Sequence, residues 1–209
     1  TGIFYNSEFT KSFSQKLLKN VKSTIIYPPV RILAKEVPKE NIILHVGRFR
    51  IKNVGLEDFK KQGVMLDAFK EMVDQGLTGW KFILAASVKK PEEAQFQILQ
   101  DGARGYPIHF LVNKNNEALW DSYNKAKIYW HASGYGEDLE KHPEFAEHFG
   151  ISTVEAMGAG AVPILINTGG QREIVQNAKN GFLWNTTDEL MEKTNVLYLS
   201  YKKTIITSA

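Results

Sequence analysis

Residues 81–112 read KFILAASVKKPEEAQFQILQDGARGYPIHFLV, and the way this stretch divides decides the fold. KFILAA (81–86) and PIHFLV (107–112) are apolar runs of strand length, whereas the apolar residues of PEEAQFQILQDGAR between them recur at three and four, the helical period. Working outward, IILHVG (42–47), AKIYWHA (126–132), AVPILI (161–166) and the short GFLW (181–184) have the same strand character. QGVMLDAFKEMVDQ, NEALWDSYNKA and STVEAMGAG supply further helices between them. Strand and helix repeated in this way predict a parallel sheet covered on both faces. The expected fold class is therefore α/β, a Rossmann-like doubly wound parallel sheet, in which ligands bind beyond the carboxyl ends of the strands.

The bulk composition bounds the function. With 209 residues, 43% of them hydrophobic and 23% charged, the chain can bury one good core. A net charge of +3 with scattered lysines gives no reason to expect nucleic acid as a partner. The absence of cysteine excludes a disulfide framework and thiolate metal ligation, and fits a cytoplasmic setting. No run reaches the roughly eighteen apolar residues of a membrane span, and TGIFYNSEFT does not resemble a signal peptide. The first residue is not methionine, which leaves room for a longer chain.

Residues 1–40 differ from the rest. NSEFTKSFSQKLLKN reads as an amphipathic helix, STIIYPPV as a strand stopped by Pro28 and Pro29, and RILAKEVPKEN as a charged connector. This segment is expected to be a lead-in from a preceding domain, with the ligand-binding domain over 41–209. GYGEDLEKHPEFA (134–146) is long and charged enough to be expected as a mobile loop.

The chemistry concentrates at EHFGISTVEAM (147–157). Ser152-Thr-Val-Glu155 fits a capping box, in which the serine takes an N–H of the first turn and the glutamate reaches back to the cap. That reading leaves Glu147 unexplained, and with it the Phe149-Gly150 turn that would expose N–H groups at a helix start, where an anion is favoured. An ionised carboxylate beside such a site can accept two hydrogen bonds from a vicinal diol, so a sugar-bearing phosphate suits the arrangement.

EHFGISTVEAMGAGAVPILINTGGQREIV resembles the signature of retaining glycosyltransferases of family 4: Glu, seven residues and Glu, then EAM, a small-residue stretch, PV and a Gly-Gly-x-x-Glu turn. The chain has VP where that signature has PV. HVGRF (45–49), KKQGVMLDAF (60–69) and YNSEFTKSFSQK followed by YPPV extend the resemblance over nearly the whole chain. It implies the carboxyl-terminal, donor-binding half of a GT-B glycosyltransferase, which moves a sugar from a nucleotide diphosphate sugar to an acceptor hydroxyl. The implied partners are that donor and a glycan or lipid acceptor bound by an amino-terminal domain. A cytoplasmic enzyme is implied, peripheral at the inner face of the membrane in some cases.

The resemblance also assigns roles by position. Glu155 would hold the donor's ribose hydroxyls and Glu147 would lie by the transferred sugar, while Gly150, Ile151 and Ser152 would offer backbone N–H groups to sugar and diphosphate. Arg48 and Lys60 match the family's phosphate-binding pair, with Lys61 an adjacent rival for the lysine role. Cations placed where charge accumulates on the departing diphosphate make a metal or other cofactor unnecessary. The base is expected against the turn after the third strand of the sheet, around Leu111, Val112 and Asn113. ILAASV stands where many members have a small glycine-containing turn, and His148 where glycine is commonest.

Other features favour structure over chemistry. Gly158-Ala-Gly160 mimics a dinucleotide fingerprint but ends a helix and precedes a strand, the reverse of the order required. His131, His142 and His148 match no usual metal spacing. Trp120, Tyr123, Tyr129 and Trp130 are expected in the core or at a domain interface, and Gly169-Gly170 in a tight strand-to-helix turn. Two alternative readings remain: a nucleotide-binding module without transfer, and another GT-B enzyme such as a nucleotide-sugar epimerase, against which the full glutamate pair with EAM speaks.

Overall fold

The computed structural model describes residues 2–18, 21–51 and 58–207; part of the RIKNVGLEDFKK loop and the end of the first helical segment lie outside the described residues. The chain opens with β1 (Ile3–Tyr5), α1 (Glu8–Leu17) and β2 (Ser23–Ile25), in which β1 and β2 form a separate two-stranded parallel sheet. Ser7 caps α1 by accepting a hydrogen bond from the Thr10 N–H at 3.0 Å. The main sheet then builds from β3 (Glu40–Arg48), β4 (Lys81–Ser87), β5 (Ile108–Val112), β6 (Ala126–His131), β7 (Val162–Ile166) and β8 (Phe182–Trp184). All six apolar runs of the sequence became these strands.

The strands are all parallel in the order β5-β4-β3-β6-β7-β8. This is the doubly wound order, and its reversal of direction falls between β3 and β6. Helices α2 (Gln62–Asp74), α3 (Glu93–Gly102) and α7 (Thr187–Thr207) cover one face. On the other lie α4 (Asn116–Lys125), α5 (Ile151–Gly158) and the short α6 (Gln171–Ile174).

Two apolar layers follow from the alternation of side chains across each strand. Ile43, Phe82, Leu84 and Trp130 pack against Phe69 of α2 and Leu190 of α7, while Ile42, Leu44, Ile83 and Tyr129 face Tyr123 of α4 and Ala156 of α5. Trp130 and Trp184 are fully buried, each worth about 2–3 kcal/mol of transfer free energy at this degree of burial. The four aromatics Trp120, Tyr123, Tyr129 and Trp130 are all buried, as the sequence indicates. The loop 134–146 folds into turns and a short 3-10 segment at Pro143–Phe145. Among the described residues no helix is long and apolar enough to cross a membrane.

Candidate nucleotide-sugar site

A cavity of about 430 Å³ opens beyond the carboxyl ends of β3, β4 and β5. Val46, Gly47 and Arg48 end β3, and Ala85, Ala86 and Ser87 end β4, so the ILAASV segment forms the cavity floor. Leu111, Asn113 and Lys114 form one wall and residues 147–152 with Glu155 the other. Asn6 and Pro28 close the rim from the lead-in segment. Arg48, Lys60, Leu111, Glu147, Gly150, Ile151, Ser152 and Glu155 are thus brought together. Val112 is not: strand alternation turns its side chain into the layer opposite Leu111. Asn113 takes a left-handed conformation, φ 51°, and its side chain both accepts from the Val88 N–H at 2.9 Å and donates to the Val88 carbonyl at 3.0 Å.

The start of α5 explains Glu155. Gly150 precedes the helix at φ 116°, a conformation that favours glycine, and an added Cβ would lie 2.9 Å from Gln171 Oε1. The helix therefore begins at Ile151, which places Ser152 inside the first turn instead of at the cap. The capping box is not formed. Ser152 Oγ accepts from the Tyr129 hydroxyl at 2.7 Å, and Glu155 Oε2 accepts from the Tyr123 hydroxyl at 2.8 Å. Burial raises the Glu155 carboxyl above its ordinary value, against the lowering effect of that hydrogen bond. The first N–H groups of α5, which precede any helical carbonyl partner, belong to residues that line the cavity.

Glu147 lies at the centre of a second arrangement. Its Oε2 is 2.7 Å from Lys60 Nζ and 3.3 Å from His131 Nε2. Burial pushes the carboxyl up, but the His131 hydrogen bond and the Lys60 charge outweigh it and hold Glu147 below the ordinary carboxylate range. His131 is 1% exposed, and its Nδ1 accepts from the Ser133 N–H at 3.4 Å. Beneath it, His45 Nδ1 donates to the Trp130 carbonyl at 2.9 Å, and burial followed by the neighbouring His131 lowers its value to about 3. Gly47 leaves room for both partners of this layer, since a Cβ there would meet His45 Nε2 at 3.0 Å and the Lys60 stem at 3.4 Å.

The two candidate lysines part company. Lys61 turns away at φ 54° and pairs with Glu137 at 2.6 Å, both side chains under 10% exposed. The loop expected to be mobile is pinned there by a buried charge. Asp58 accepts from the Gln62 and Gly63 N–H groups at 2.8 and 3.2 Å, capping α2.

Gly169 and Gly170 hold the glutamate segment by close approach. The Gly170 N–H donates to the Glu147 carbonyl at 2.8 Å, and a Cβ on Gly169 or Gly170 would collide with the Glu147 or His148 carbonyl respectively. Three residues on, Glu173 accepts from the Glu8 and Phe9 N–H groups at 2.8 and 2.9 Å and from the Tyr27 hydroxyl at 3.1 Å, fastening the start of α1. Sequence reasoning missed Tyr123, Tyr129, His131 and Glu173 as supports of the site. In the first three, an apolar strand or helix pattern conceals a polar tip.

A parallel doubly wound domain gathers cations, carboxylates and a helix start around one cavity beyond the carboxyl ends of its strands, where this class of fold binds ligands. The family model described as glycosyl transferases group 1 matches residues 32–203, and the chain belongs to that family. It is 25% identical over 193 residues to the GDP-Man:Man(3)GlcNAc(2)-PP-Dol alpha-1,2-mannosyltransferase of Dictyostelium discoideum, covering 86% of this chain and 36% of that protein. To the alpha-1,3/1,6-mannosyltransferase ALG2 of Rhizomucor pusillus it is 26% identical, over 87% of this chain and 46% of that protein. The chain therefore spans less than half the length of these curated relatives. Among solved structures, Anabaena HepE in complex with UDP and glucose superposes with a TM-score of 0.72 at 20% identity, over 97% of this chain and 55% of that one. The C-terminal domain of LpcC, a glycosyl transferase group 1 family protein from Francisella tularensis, gives 0.59 at 18% identity over 79% of each chain.

Proposed function

We propose that this chain is the donor-binding part of a retaining glycosyltransferase that moves a sugar from a nucleoside diphosphate sugar to an acceptor hydroxyl. The observation that carries the reading is the convergence of Arg48, Lys60, Glu147, Glu155 and the α5 start on one cavity. Relatives named as GDP-mannose-dependent mannosyltransferases and a neighbour in complex with UDP support a nucleotide-sugar donor.

In this reading Glu155, with one oxygen pinned by Tyr123, accepts from the ribose hydroxyls, and Glu147 lies beside the sugar. When the bond between the anomeric carbon and the phosphate oxygen breaks, its electron pair leaves with the diphosphate. Arg48, Lys60 and the α5 N–H groups meet that charge, so no metal is needed. The acceptor hydroxyl forms the new bond on the face the diphosphate left, and its proton passes to the departing diphosphate oxygen. Retention, independence from metal, a cytoplasmic location and a glycan or lipid acceptor recognised outside residues 1–209 all belong to this proposal.

Calorimetric titration with UDP, GDP, UDP-glucose and GDP-mannose tests it. Binding of at least one diphosphate is expected, unaffected by chelator. Glu155→Ala should weaken the bare diphosphate by roughly tenfold to a hundredfold, and Glu147→Ala should abolish the gain in affinity of a nucleotide sugar over its bare diphosphate. Normal diphosphate binding by Glu155→Ala would remove the ribose role.

A further inference from the structure

His131 supports Glu147 from a buried position, and that contact bears on ligand binding. Its Nδ1 accepts from the Ser133 N–H, which leaves the ring proton on Nε2, 3.3 Å from Glu147 Oε2. That same oxygen takes Lys60 at 2.7 Å. Lys60 is therefore already engaged by a carboxylate in the cavity that a diphosphate would enter. An arriving diphosphate competes with Glu147 for this cation, and the carboxylate, largely buried at 21% side-chain exposure, would be stranded if Lys60 left it with no other donor.

We infer that His131 is a positioning residue whose neutral Nε2–H keeps Glu147 in place while Lys60 transfers from that carboxylate to the donor's diphosphate. The inference rests on the proposed nucleotide-sugar function. Three features of the site support it. His131 is 1% exposed and locked in one tautomer, so it offers a donor that does not depend on the ligand. Burial, and more weakly the Lys60 charge, disfavours a proton on its second nitrogen, although the Glu147 hydrogen bond and charge work the other way; the net direction is a lowered value. Gly47 leaves the Lys60 stem free space on the side of β3, where any side chain would crowd it.

The consequence runs against simple expectation: removing the Glu147 charge should strengthen binding of a bare diphosphate. Titration of this chain with UDP and GDP should give about tenfold tighter binding for Glu147→Gln, because Lys60 is released and one repulsion is removed. His131→Phe should weaken the diphosphate by about tenfold, because Lys60 becomes the only side-chain donor to Glu147 among the described residues. His131→Gln, which keeps an N–H near the same place, should restore it. In the Glu147→Gln background, His131→Phe should change UDP affinity less than twofold, since an uncharged amide does not need the donor.

A purely structural His131 would instead lower affinity equally in both backgrounds, and that result overturns the inference. Weaker binding by Glu147→Gln than by the parent also overturns it, and this arm remains decisive if His131→Phe does not fold. If the parent chain binds neither nucleotide nor either nucleotide sugar, the proposed function fails first, whereas parental binding with equal losses defeats only the role of His131.

Discussion

At the entry to α2 two adjacent lysines have opposite surroundings, because the left-handed turn at Lys61 sends one side chain to the cavity and the other to Glu137. Lys60→Ala is expected to cost about tenfold in diphosphate affinity with little change in urea midpoint, and Arg48→Ala the same, in each case more for diphosphate than for nucleoside and less at high salt. Lys61→Ala should leave affinity nearly intact and destabilise the fold by up to about 3–5 kcal/mol, since it takes a cation away from the buried Glu137 carboxylate. Calorimetry and urea unfolding together separate the two. No sequence pattern could have made this distinction: it depends on one backbone dihedral. The buried histidines carry a pH signature. His45 stays neutral in the folded chain down to about 3, whereas its unfolded value is 6.5, so the unfolded state gains the proton first. Stability is complete above pH 6.5 and falls as pH drops below it, by up to about 1.4 kcal/mol per unit per group. His131 acts in the same direction. Glu147, held below its ordinary 4.5, loses its contribution only at lower pH. Urea midpoints measured from pH 7 to pH 5 should therefore decline, and the decline should be shallower in His45→Asn.

The decisive elements are the α5 start and the turn from β7 into α6. Strands were legible because fully buried runs leave a strong apolar pattern, and the doubly wound order followed from their alternation with helices. The helix start was less legible. Ser152 and Glu155 have capping-box spacing, but Gly150 at positive φ begins the helix two residues earlier and frees both side chains for Tyr129 and Tyr123. Gly169-Gly170 was legible as a turn, while its packing against the Glu147 and His148 carbonyls depends on a contact between segments more than twenty residues apart in the chain. Gly170→Ala is expected to displace the glutamate segment, costing about 1–3 kcal/mol in stability and at least tenfold in UDP or GDP affinity. Gly102→Ala, at the end of α3 with open space around it, serves as the control and should be neutral or slightly stabilising. Thermal unfolding and titration on both variants check this.

For the whole molecule, the proposed function separates holding the donor from using it. The chain covers 36% and 46% of the length of two mannosyltransferase relatives, and the groups proposed to hold the nucleotide all lie within it. It is expected to bind a nucleoside diphosphate while giving no detectable transfer to added acceptor, since orienting the attacking hydroxyl can be worth about 7–11 kcal/mol. Product analysis after prolonged incubation with the bound nucleotide sugar checks this; robust transfer by the chain alone would place the acceptor within residues 1–209. Beneath that division lies a feature with practical weight, the tether of Glu173 to the start of α1 and to Tyr27. Because Asn6 and Pro28 form part of the rim, a shortened protein cut at residue 40 would lose that rim, leave the Glu173 carboxylate without these donors and uncover Phe149, whose ring lies 5.7 Å from that of Tyr27. Anyone trimming this protein for crystals or screening should therefore keep the leading segment, and a protease that clips it should release a piece whose departure the bound nucleotide resists.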